Sequence, residues 1–337
     1  MRVTLLSTCA LVLFLLACTS SADTASEPTV RPPQPTLPQA PPLTNAAESL
    51  DIPTYDGSGQ AAHPDVVSFA DGWGGHTYWM VMTPYPYDTS ERENPSLLVS
   101  EDGQSWVVPA GVTDPLVSTP PCDHNSDPDL VYDPQTDELM LYYTEVLRPQ
   151  FCGAGTNTNS VKLMTSSDGV AWSEPKTVME FDLGRYPVYV SPAVVYRGGR
   201  FEMWMAGNDD TLVYTTSDDG EAWAPLQEGS LPDSLWHLDV QYVAARHEYW
   251  MLYATLPGTG GELKFARSAD GLDWDMCEQP VLQASSGWDS DRIYRSTFLY
   301  DEARNMLRVW YSARDGEGVW GIGYTEGGHP GLSGGAC

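Results

Sequence analysis

Residues 166–172 read Ser-Ser-Asp-Gly-Val-Ala-Trp, and this pattern decides the fold. The motif Ser-x-Asp-Gly-x-x-Trp occurs four times, at residues 100–106, 166–172, 217–223 and 268–274. Asp-Gly is a strong β-hairpin signal, because glycine adopts the positive φ that the turn needs and aspartate hydrogen-bonds to the turn backbone. The regular recurrence of the tryptophan predicts packing between sheets rather than stacking on sugars.

Two strand patterns precede each hairpin. The nearer one alternates aromatic and aliphatic residues and lies at 78–82, 139–143, 201–205 and 249–253, with a fifth copy at 307–311 that lacks the hairpin. The farther one lies at 65–69, 129–132, 193–196, 239–243 and 297–300. Repeated four-stranded units of this period indicate a propeller. We predict an all-β, five-bladed β-propeller with antiparallel four-stranded blades, in which a segment near residues 50–52 completes the fifth blade.

The amino terminus predicts export and lipid attachment. Arg2 precedes a short apolar run at residues 11–17, as in a secretory signal peptide. Residues 15–18 resemble a bacterial lipobox, so Cys18 is the predicted lipidation site; a plain signal peptide cut elsewhere is the alternative. We expect a lipoprotein signal peptide over 1–18, a disordered Pro/Ser/Thr-rich linker over 19–45 and the propeller over 46–337. The protein would then be exported and lipid-anchored to a bacterial membrane, at the outer membrane or cell surface.

The charge balance restricts the partners. The chain has 46 acidic and 17 basic side chains, for a formal charge of −29. Nucleic-acid binding needs a basic face, and docking on anionic lipid needs a polybasic patch. We therefore expect no nucleic-acid partner and membrane contact through the lipid anchor only. We also expect a monomer.

The cysteine count predicts disulfides. Four cysteines remain after Cys9 and Cys18, and an even number in an exported chain favours two disulfides. Three pairings are open, and the favoured one joins Cys122 to Cys152 and Cys277 to Cys337.

One face of the inner strands is polar. In register, residues 63–65, 127–129, 191–193, 237–239 and 295–297 occupy equivalent places. Because side chains alternate faces with period two, one face carries His63, Asp65, Asp127, Asp129, Ser191, His237, Asp239 and Arg295. Carboxylates this close raise one another's pKa unless a cation, a proton or hydrogen bonds compensate. This face predicts a catalytic or metal-holding cluster at one channel mouth; a solvated polar rim is the alternative.

The x-Pro-x inner strands and the Asp-Gly-x-x-Trp hairpins resemble the five-bladed glycoside hydrolases over residues 60–325. The groups concerned are the arabinanase and β-xylosidase family and its invertase and levansucrase relatives. Those families place a base or nucleophile on blade one, a pKa-tuning aspartate on blade two and a general acid on blade three. Asp127 before Pro128 matches blade two. On blade one His63 precedes the proline and Asp65 is the nearest carboxylate, and on blade three Val190 stands where the acid is expected.

Four further segments are similar to an uncharacterised group of bacterial and phage propellers. They lie at residues 78–86, 93–96, 236–240 and 294–296. This second resemblance supports the fold and implies no particular reaction.

The resemblance to glycosidases implies a glycoside hydrolase that acts on extracellular polysaccharide, with furanose units as one option. Asp65 is the expected base or nucleophile, Asp127 the pKa modulator, and the acid is one of Asp239, Glu93 and Glu145. The expected substrate-binding residues are His63, Asp129, His237, Arg295, Trp73, Tyr85 and Trp236. No cofactor is required, although the channel His and Asp residues could hold Ca²⁺, with Zn²⁺ as a second option. The alternative function is a non-catalytic propeller that binds a glycan or a protein.

Overall fold

The computed structural model describes residues 40–121, 123–148, 157–182, 188–255 and 261–333. The first two blades contain β1 (Ala61–Trp73), β2 (His76–Pro84), β3 (Ser96–Ser100), β4 (Asp123–Asp133), β5 (Glu138–Leu147), β6 (Thr158–Ser166) and β7 (Lys176–Asp182). The third and fourth contain β8 (Tyr189–Arg197), β9 (Arg200–Gly207), β10 (Leu212–Ser217), β11 (Gln227–Gly229), β12 (His237–Val243), β13 (Glu248–Ala254), β14 (Leu263–Ser268) and β15 (Asp275–Met276). The fifth contains β16 (Arg292–Asp301), β17 (Met306–Arg314) and β18 (Trp320–Gly327). Short 3₁₀ turns lie at Pro86–Asp88, Ser90–Arg92 and Pro330–Ser333.

These strands form five antiparallel sheets in chain order, β1–β3, β4–β7, β8–β11, β12–β15 and β16–β18. The inner strands β1, β4, β8, β12 and β16 each contact the next, and β16 contacts β1, so the ring closes. The predicted five-bladed propeller is confirmed. Blades two to four have four strands, but blades one and five have three, so the prediction of four strands in every blade is wrong for those two. Among the described residues, no helix has the length and apolar character needed to cross a lipid bilayer.

Each Asp-Gly turn receives an aromatic side chain from a neighbouring blade. Four contacts of this kind join successive blades: Trp79 with Gly169, Tyr142 with Gly220, Trp204 with Gly271 and Trp310 with Gly103. At Gly169 φ is +73°, and a Cβ atom would lie only 2.1 Å from the ring of Trp79. The glycine is therefore required both by the turn and by the neighbouring ring.

The motif tryptophans pack at the same blade interfaces, as predicted. Trp106 of blade one meets Trp310 of blade five edge-on, and Trp274 of blade four meets Trp204 of blade three in the same way. The hairpin motif is thus an element of the architecture.

The segment before β1 lies along blade five. The Leu50 backbone N–H donates to the Ile322 carbonyl at 2.8 Å, and Ile52 is buried against the apolar core of blades one and five. Nearer the amino terminus, Pro42 forms a parallel bridge with Gly328. The segment predicted to complete blade five therefore contacts its outer strand by isolated hydrogen bonds and does not add a fourth strand. These contacts also reach residues 41–45, inside the predicted linker.

The predicted lipidation site and most of the predicted disulfide residues lie outside the described residues. These are Cys18, Cys122, Cys152 and Cys337. Cys277 is described and is buried. Lipidation and both disulfide pairings stay predictions.

Candidate active site

Backbone bulges position the first residues of the site. The pairing of β1, β4 and β8 with the following strand shifts register just at the proline of each inner strand. The residue before the proline has positive φ in all three strands, with 53° at His63, 49° at Asp127 and 57° at Ser191. Non-glycine residues rarely adopt this conformation, and bulges of this kind redirect a side chain near functional sites. In blade four β12 pairs without a shift and begins at His237.

Three ionisable side chains from three blades converge at this mouth, and we call them the His–Asp–His cluster: His63, Asp127 and His237. One nitrogen or oxygen of each lies within 4.8 Å of the others, and all three residues are buried. Asp127 Oδ1 is 3.1 Å from His237 Nδ1 and 3.7 Å from His63 Nε2. Asp127 Oδ1 and His237 Nε2 are buried without a hydrogen-bond partner among the described residues. Such atoms are costly to bury unless a ligand satisfies them.

The environment sets the charge of the cluster. Burial lowers the pKa of His63 to about 3, and burial also lowers the pKa of His237, so both imidazoles are neutral near pH 7. Burial alone would raise the pKa of Asp127, but His237, His63 and Arg295 together hold it below its usual range. Neutral imidazoles with an ionised carboxylate are the protonation state that a metal ion requires of its ligands. Two nitrogens and one oxygen suit a transition-metal ion better than Ca²⁺, which prefers oxygen ligands only.

A buried carboxyl group and a tyrosine flank the cluster. Glu93 Oε2 lies 3.5 Å from His63 Nδ1, and burial together with the nearby Asp127 raises the pKa of Glu93 well above its usual value. The ring of Tyr294 packs edge-on against His237 at 4.2 Å, and its hydroxyl oxygen accepts a hydrogen bond from Trp236 Nε1 at 3.0 Å. Burial raises the pKa of Tyr294, so its phenol stays protonated and can donate to a ligand.

The cluster borders a cavity of about 380 Å³, which we call the main cavity. Six residues predicted from the sequence line it: His63, Tyr85, Glu93, Asp127, Trp236 and His237. The lining also includes residues that the sequence analysis did not select, among them His124, Arg148, Asn159, Asn208 and Tyr294. Tyr294 lies in the Tyr-Arg-Ser segment noted above, which was the one available signal. His124 lies on the inner strand β4 but before the aligned residues 127–129, and the others lie on a third strand or in loops.

Beside this cluster lie three further carboxylates, which we call the carboxylate ring: Asp65, Asp129 and Asp239. Their oxygens also approach within 4.8 Å of one another. Each accepts a backbone N–H from the next blade, Asp65 from Leu130 at 2.6 Å, Asp129 from Val194 at 3.0 Å and Asp239 from Phe298 at 3.1 Å. Thr297 holds the equivalent place in blade five, and its hydroxyl donates to Asp65 at 3.0 Å. These contacts join neighbouring blades.

Arg295 lies between the two groups. It is buried, its Nη1 is 3.7 Å from Asp127 Oδ1, and its Nη2 is 3.5 Å from Asp129 Oδ1. Nη2 also donates to the Pro192 carbonyl of blade three at 3.1 Å. The catalytic roles predicted for Asp65 and Asp239, and the substrate-binding roles of Asp129 and Arg295, stay predictions; the contacts favour a structural role for all four.

Two other predicted site residues have partners away from the main cavity. Glu145 forms an ion pair with Lys162 Nζ at 2.7 Å. Trp73 donates from Nε1 to Asp137 at 2.8 Å and packs in the apolar core between blades one and two. Neither residue is among those that line the cavity.

Comparison with known proteins gives relatives in sequence and in fold. No family model matches the sequence. The chain is 30% identical over 371 aligned positions to an A type blood N-acetyl-α-D-galactosamine deacetylase of Flavonifractor plautii. The alignment covers 84% of this chain and 47% of the relative, so the chain spans about half the length of that protein.

The solved structures show the same architecture. An N-acetylgalactosamine deacetylase from F. plautii, in complex with blood group B trisaccharide, superposes with a TM-score of 0.76 at 28% identity, covering 86% of this chain and 97% of that one. The catalytic domain of the GH62 α-L-arabinofuranosidase of Coprinopsis cinerea gives 0.62 at 14% identity, covering 86% and 98%. A thermostable family-43 glycoside hydrolase gives 0.57 at 11% identity, covering 83% and 92%. The chain has the five-bladed propeller fold of the glycoside hydrolases. The resemblance expected from the inner strands and hairpins is therefore confirmed for the fold.

Proposed function

We propose that this protein is a metal-dependent hydrolase that removes the acetyl group from an N-acetylated sugar at the end of a glycan. The observation that carries the proposal is the His–Asp–His cluster, in which two neutral imidazoles and one ionised carboxylate from three blades meet at the main cavity. The names of the relatives in F. plautii support the substrate class. Both this proposal and the predicted glycoside hydrolase are carbohydrate-acting hydrolases, and they differ in the bond that is cleaved.

The arrangement of carboxyl groups favours amide over glycosidic cleavage. A glycosidase needs an acid and an ionised carboxylate on opposite sides of the scissile bond. Here His63 lies between the two, 3.7 Å from Asp127 and 3.5 Å from Glu93. Val190 lines the cavity where the resemblance places the general acid, and its side chain carries no proton to donate. Asp127 is therefore better placed to hold a cation than to attack a sugar.

The chemistry of amide hydrolysis suits the remaining groups. A divalent cation held by His63, Asp127 and His237 would polarise the acetyl carbonyl and lower the pKa of bound water. Hydrolysis forms a C–O bond from water and breaks the C–N bond, and the departing nitrogen takes up a proton. Glu93 Oε2 is placed to carry that proton, because it lies beside His63 in a dry environment. The protonated Tyr294 hydroxyl can donate a hydrogen bond to the acyl oxygen as negative charge develops there.

Product analysis tests this function. Purified protein is stripped with a chelator, reloaded with Zn²⁺, and incubated with glycosides of N-acetylgalactosamine, while acetate and new reducing ends are both measured. We expect metal-dependent acetate release and no new reducing ends. Glu93→Gln should lower kcat by about 100-fold or more, as for loss of a general acid or base. Glu145→Gln, which alters an ion-paired carboxylate outside the cavity, is the matched control and should leave kcat unchanged.

The other outcomes separate the alternatives. Reducing ends without acetate would overturn the proposal in favour of the glycoside hydrolase. Glycan binding without either product, unaffected by Asp127→Asn, would favour the non-catalytic binding propeller.

We also propose that the protein acts at a bacterial surface through lipid on Cys18. The support is the signal-like run before the cysteine and the lipobox resemblance of residues 15–18. Labelled palmitate should enter the wild-type protein expressed in a bacterium and should not enter Cys18→Ala. Equal labelling of both would exclude this anchor.

A further inference from the structure

We infer that a second cavity beside the main one receives the next sugar of the substrate, and that Arg148 at the junction selects glycans of two or more sugars. This inference rests on the proposed function, because it assigns the acetylated end of the same glycan to the main cavity.

The second cavity lies next to the first. Its volume is about 330 Å³. Ser90 and Arg148 line both cavities, so these two side chains mark the boundary that the cavities share. The second cavity is otherwise lined by Glu91, Thr119, Asp123 and two prolines. A ligand that leaves the main cavity on this side must therefore pass Arg148.

A buried carboxylate fixes the groups at the junction. Asp123 Oδ2 pairs with Arg148 Nη1 at 2.9 Å, and its Oδ1 contacts His124 Nδ1. The side chain of Asp123 is only 5% exposed, whereas that of Arg148 is 41% exposed. Asp123 thus orients one residue toward each cavity, His124 into the main one and Arg148 into the junction. The mechanism proposed above does not use these three groups.

The junction is suited to the hydroxyl groups of a neutral sugar. A guanidinium has five N–H donors, so Arg148 retains donors beyond its ion pair with Asp123. Glu91 supplies a carboxylate. The Thr119 hydroxyl donates to the Glu91 carbonyl at 3.1 Å and accepts from Asn94 Nδ2 at 2.9 Å, which leaves one lone pair to accept from a ligand. An anionic sugar would meet both Glu91 and Asp123, in a chain whose formal charge is −29. The substrate class that fits is a neutral oligosaccharide with an N-acetylated sugar at one end.

Kinetics on two substrates test the inference. The probes are the methyl α-glycoside of N-acetylgalactosamine and a neutral trisaccharide with that sugar at its non-reducing end. For Arg148→Ala we expect the KM of the trisaccharide to rise about tenfold, the scale of one charged hydrogen bond. Its kcat and both constants for the monosaccharide should stay within about twofold, and Arg148→Lys should recover part of the loss.

The matched control is Arg304→Ala. Arg304 is also half exposed and forms an ion pair with Glu326 at 2.7 Å on blade five. Its substitution should leave KM and kcat unchanged for both substrates. An equal loss on both substrates, or none on either, would overturn the inference.

Calorimetry keeps the inference testable if the proposed function fails. If neither probe releases acetate, the Kd of each is measured for the wild type and Arg148→Ala. Tighter binding of the trisaccharide that is lost in the variant would support the second sugar site without the deacetylase. No difference between the probes, or no binding of either, would overturn it.

Discussion

The His–Asp–His cluster and the carboxylate ring are two groups of three buried ionisable side chains that share the same inner strands. In each group the ligand atoms come within 4.8 Å of one another. The two groups differ in the hydrogen-bond partners of those atoms. Each carboxylate of the ring accepts a backbone N–H from the next blade, whereas Asp127 Oδ1 and His237 Nε2 have no hydrogen-bond partner in the described structure.

In blades one and two the difference follows from position relative to the inner-strand proline, whereas blade four has Leu238 in that place and pairs without a shift. The residue before the proline lies in the bulge with positive φ and reaches the main cavity, as His63 and Asp127 do. The residue after it, such as Asp65 or Asp129, lies back in the regular ladder and bonds to the next blade. Two positions on the same strand, two residues apart, therefore serve chemistry and architecture separately.

The largest expected effect is on activity, at the His–Asp–His cluster. Asp127→Asn keeps the shape of the side chain but removes the anionic ligand. Loss of an outer-shell partner of a metal site costs up to about 100-fold. Because Asp127 is proposed to hold the ion directly, kcat/KM for acetate release should fall by at least about 100-fold. The midpoint of urea denaturation should change less in Asp127→Asn than in the variants of the carboxylate ring described next. A variant with normal activity would show that the cluster is not the reaction centre.

The next effect is on stability, at the carboxylate ring. Asp129→Ala removes the acceptor of the Val194 N–H and one partner of the buried Arg295, so the free energy of unfolding should fall by about 3–5 kcal/mol. Urea denaturation measures it. Asp129→Asn, which keeps an acceptor oxygen, should lose less and serves if the alanine variant does not fold. A stable Asp129→Asn protein that releases no acetate would instead give Asp129 a role in the reaction.

A site outside both clusters calibrates these values. Gly169→Ala should lower the free energy of unfolding by about 2–4 kcal/mol, from overpacking against Trp79 and the positive φ of the turn. Gly57→Ala is the matched control, because Gly57 has φ of +72° but open space around its Cβ position. The free energy of unfolding should fall there only by the backbone strain of the left-handed conformation, about 1 kcal/mol. Equal losses at both positions would remove the role given to the aromatic contact.

The smallest effect is expected at Thr297, which holds the place in blade five that the carboxylate ring holds in blades one, two and four. Thr297→Val removes the hydroxyl that donates to Asp65 at 3.0 Å, and the free energy of unfolding should fall by about 1 kcal/mol. Acetate release should be unchanged. A large loss of activity with normal stability would contradict the division between the two groups.

The sequence was sufficient for the fold because the motif repeats. Four Ser-x-Asp-Gly-x-x-Trp hairpins and five strand pairs specify five blades, and the turn glycines are the same positions that receive the neighbouring aromatic rings. The missing hairpin signalled the short blade five, whereas the short blade one was not predictable in this way. Val99 and Val107 form only an isolated bridge where a fourth strand of blade one was expected.

The site was predictable only in part. Period-two alternation correctly brought His63, Asp127 and His237 together, but it assigned Asp65 to the same group, because alternation does not register a bulge. Glu93 was selected as a glutamate two residues before a proline, and its place beside His63 is set by loop geometry that the sequence does not show. Residues of middle strands and their ends, such as Arg148, gave no periodic signal because their place depends on packing between blades.

Metal content tests the central claim most directly. Elemental analysis and calorimetric titration with Zn²⁺ would be carried out on purified wild type, Asp127→Asn and Asp129→Asn. The account predicts one ion per chain in the wild type, loss of binding in Asp127→Asn and retention in Asp129→Asn. A wild type that binds no stoichiometric metal, or loss of binding only in Asp129→Asn, would contradict it.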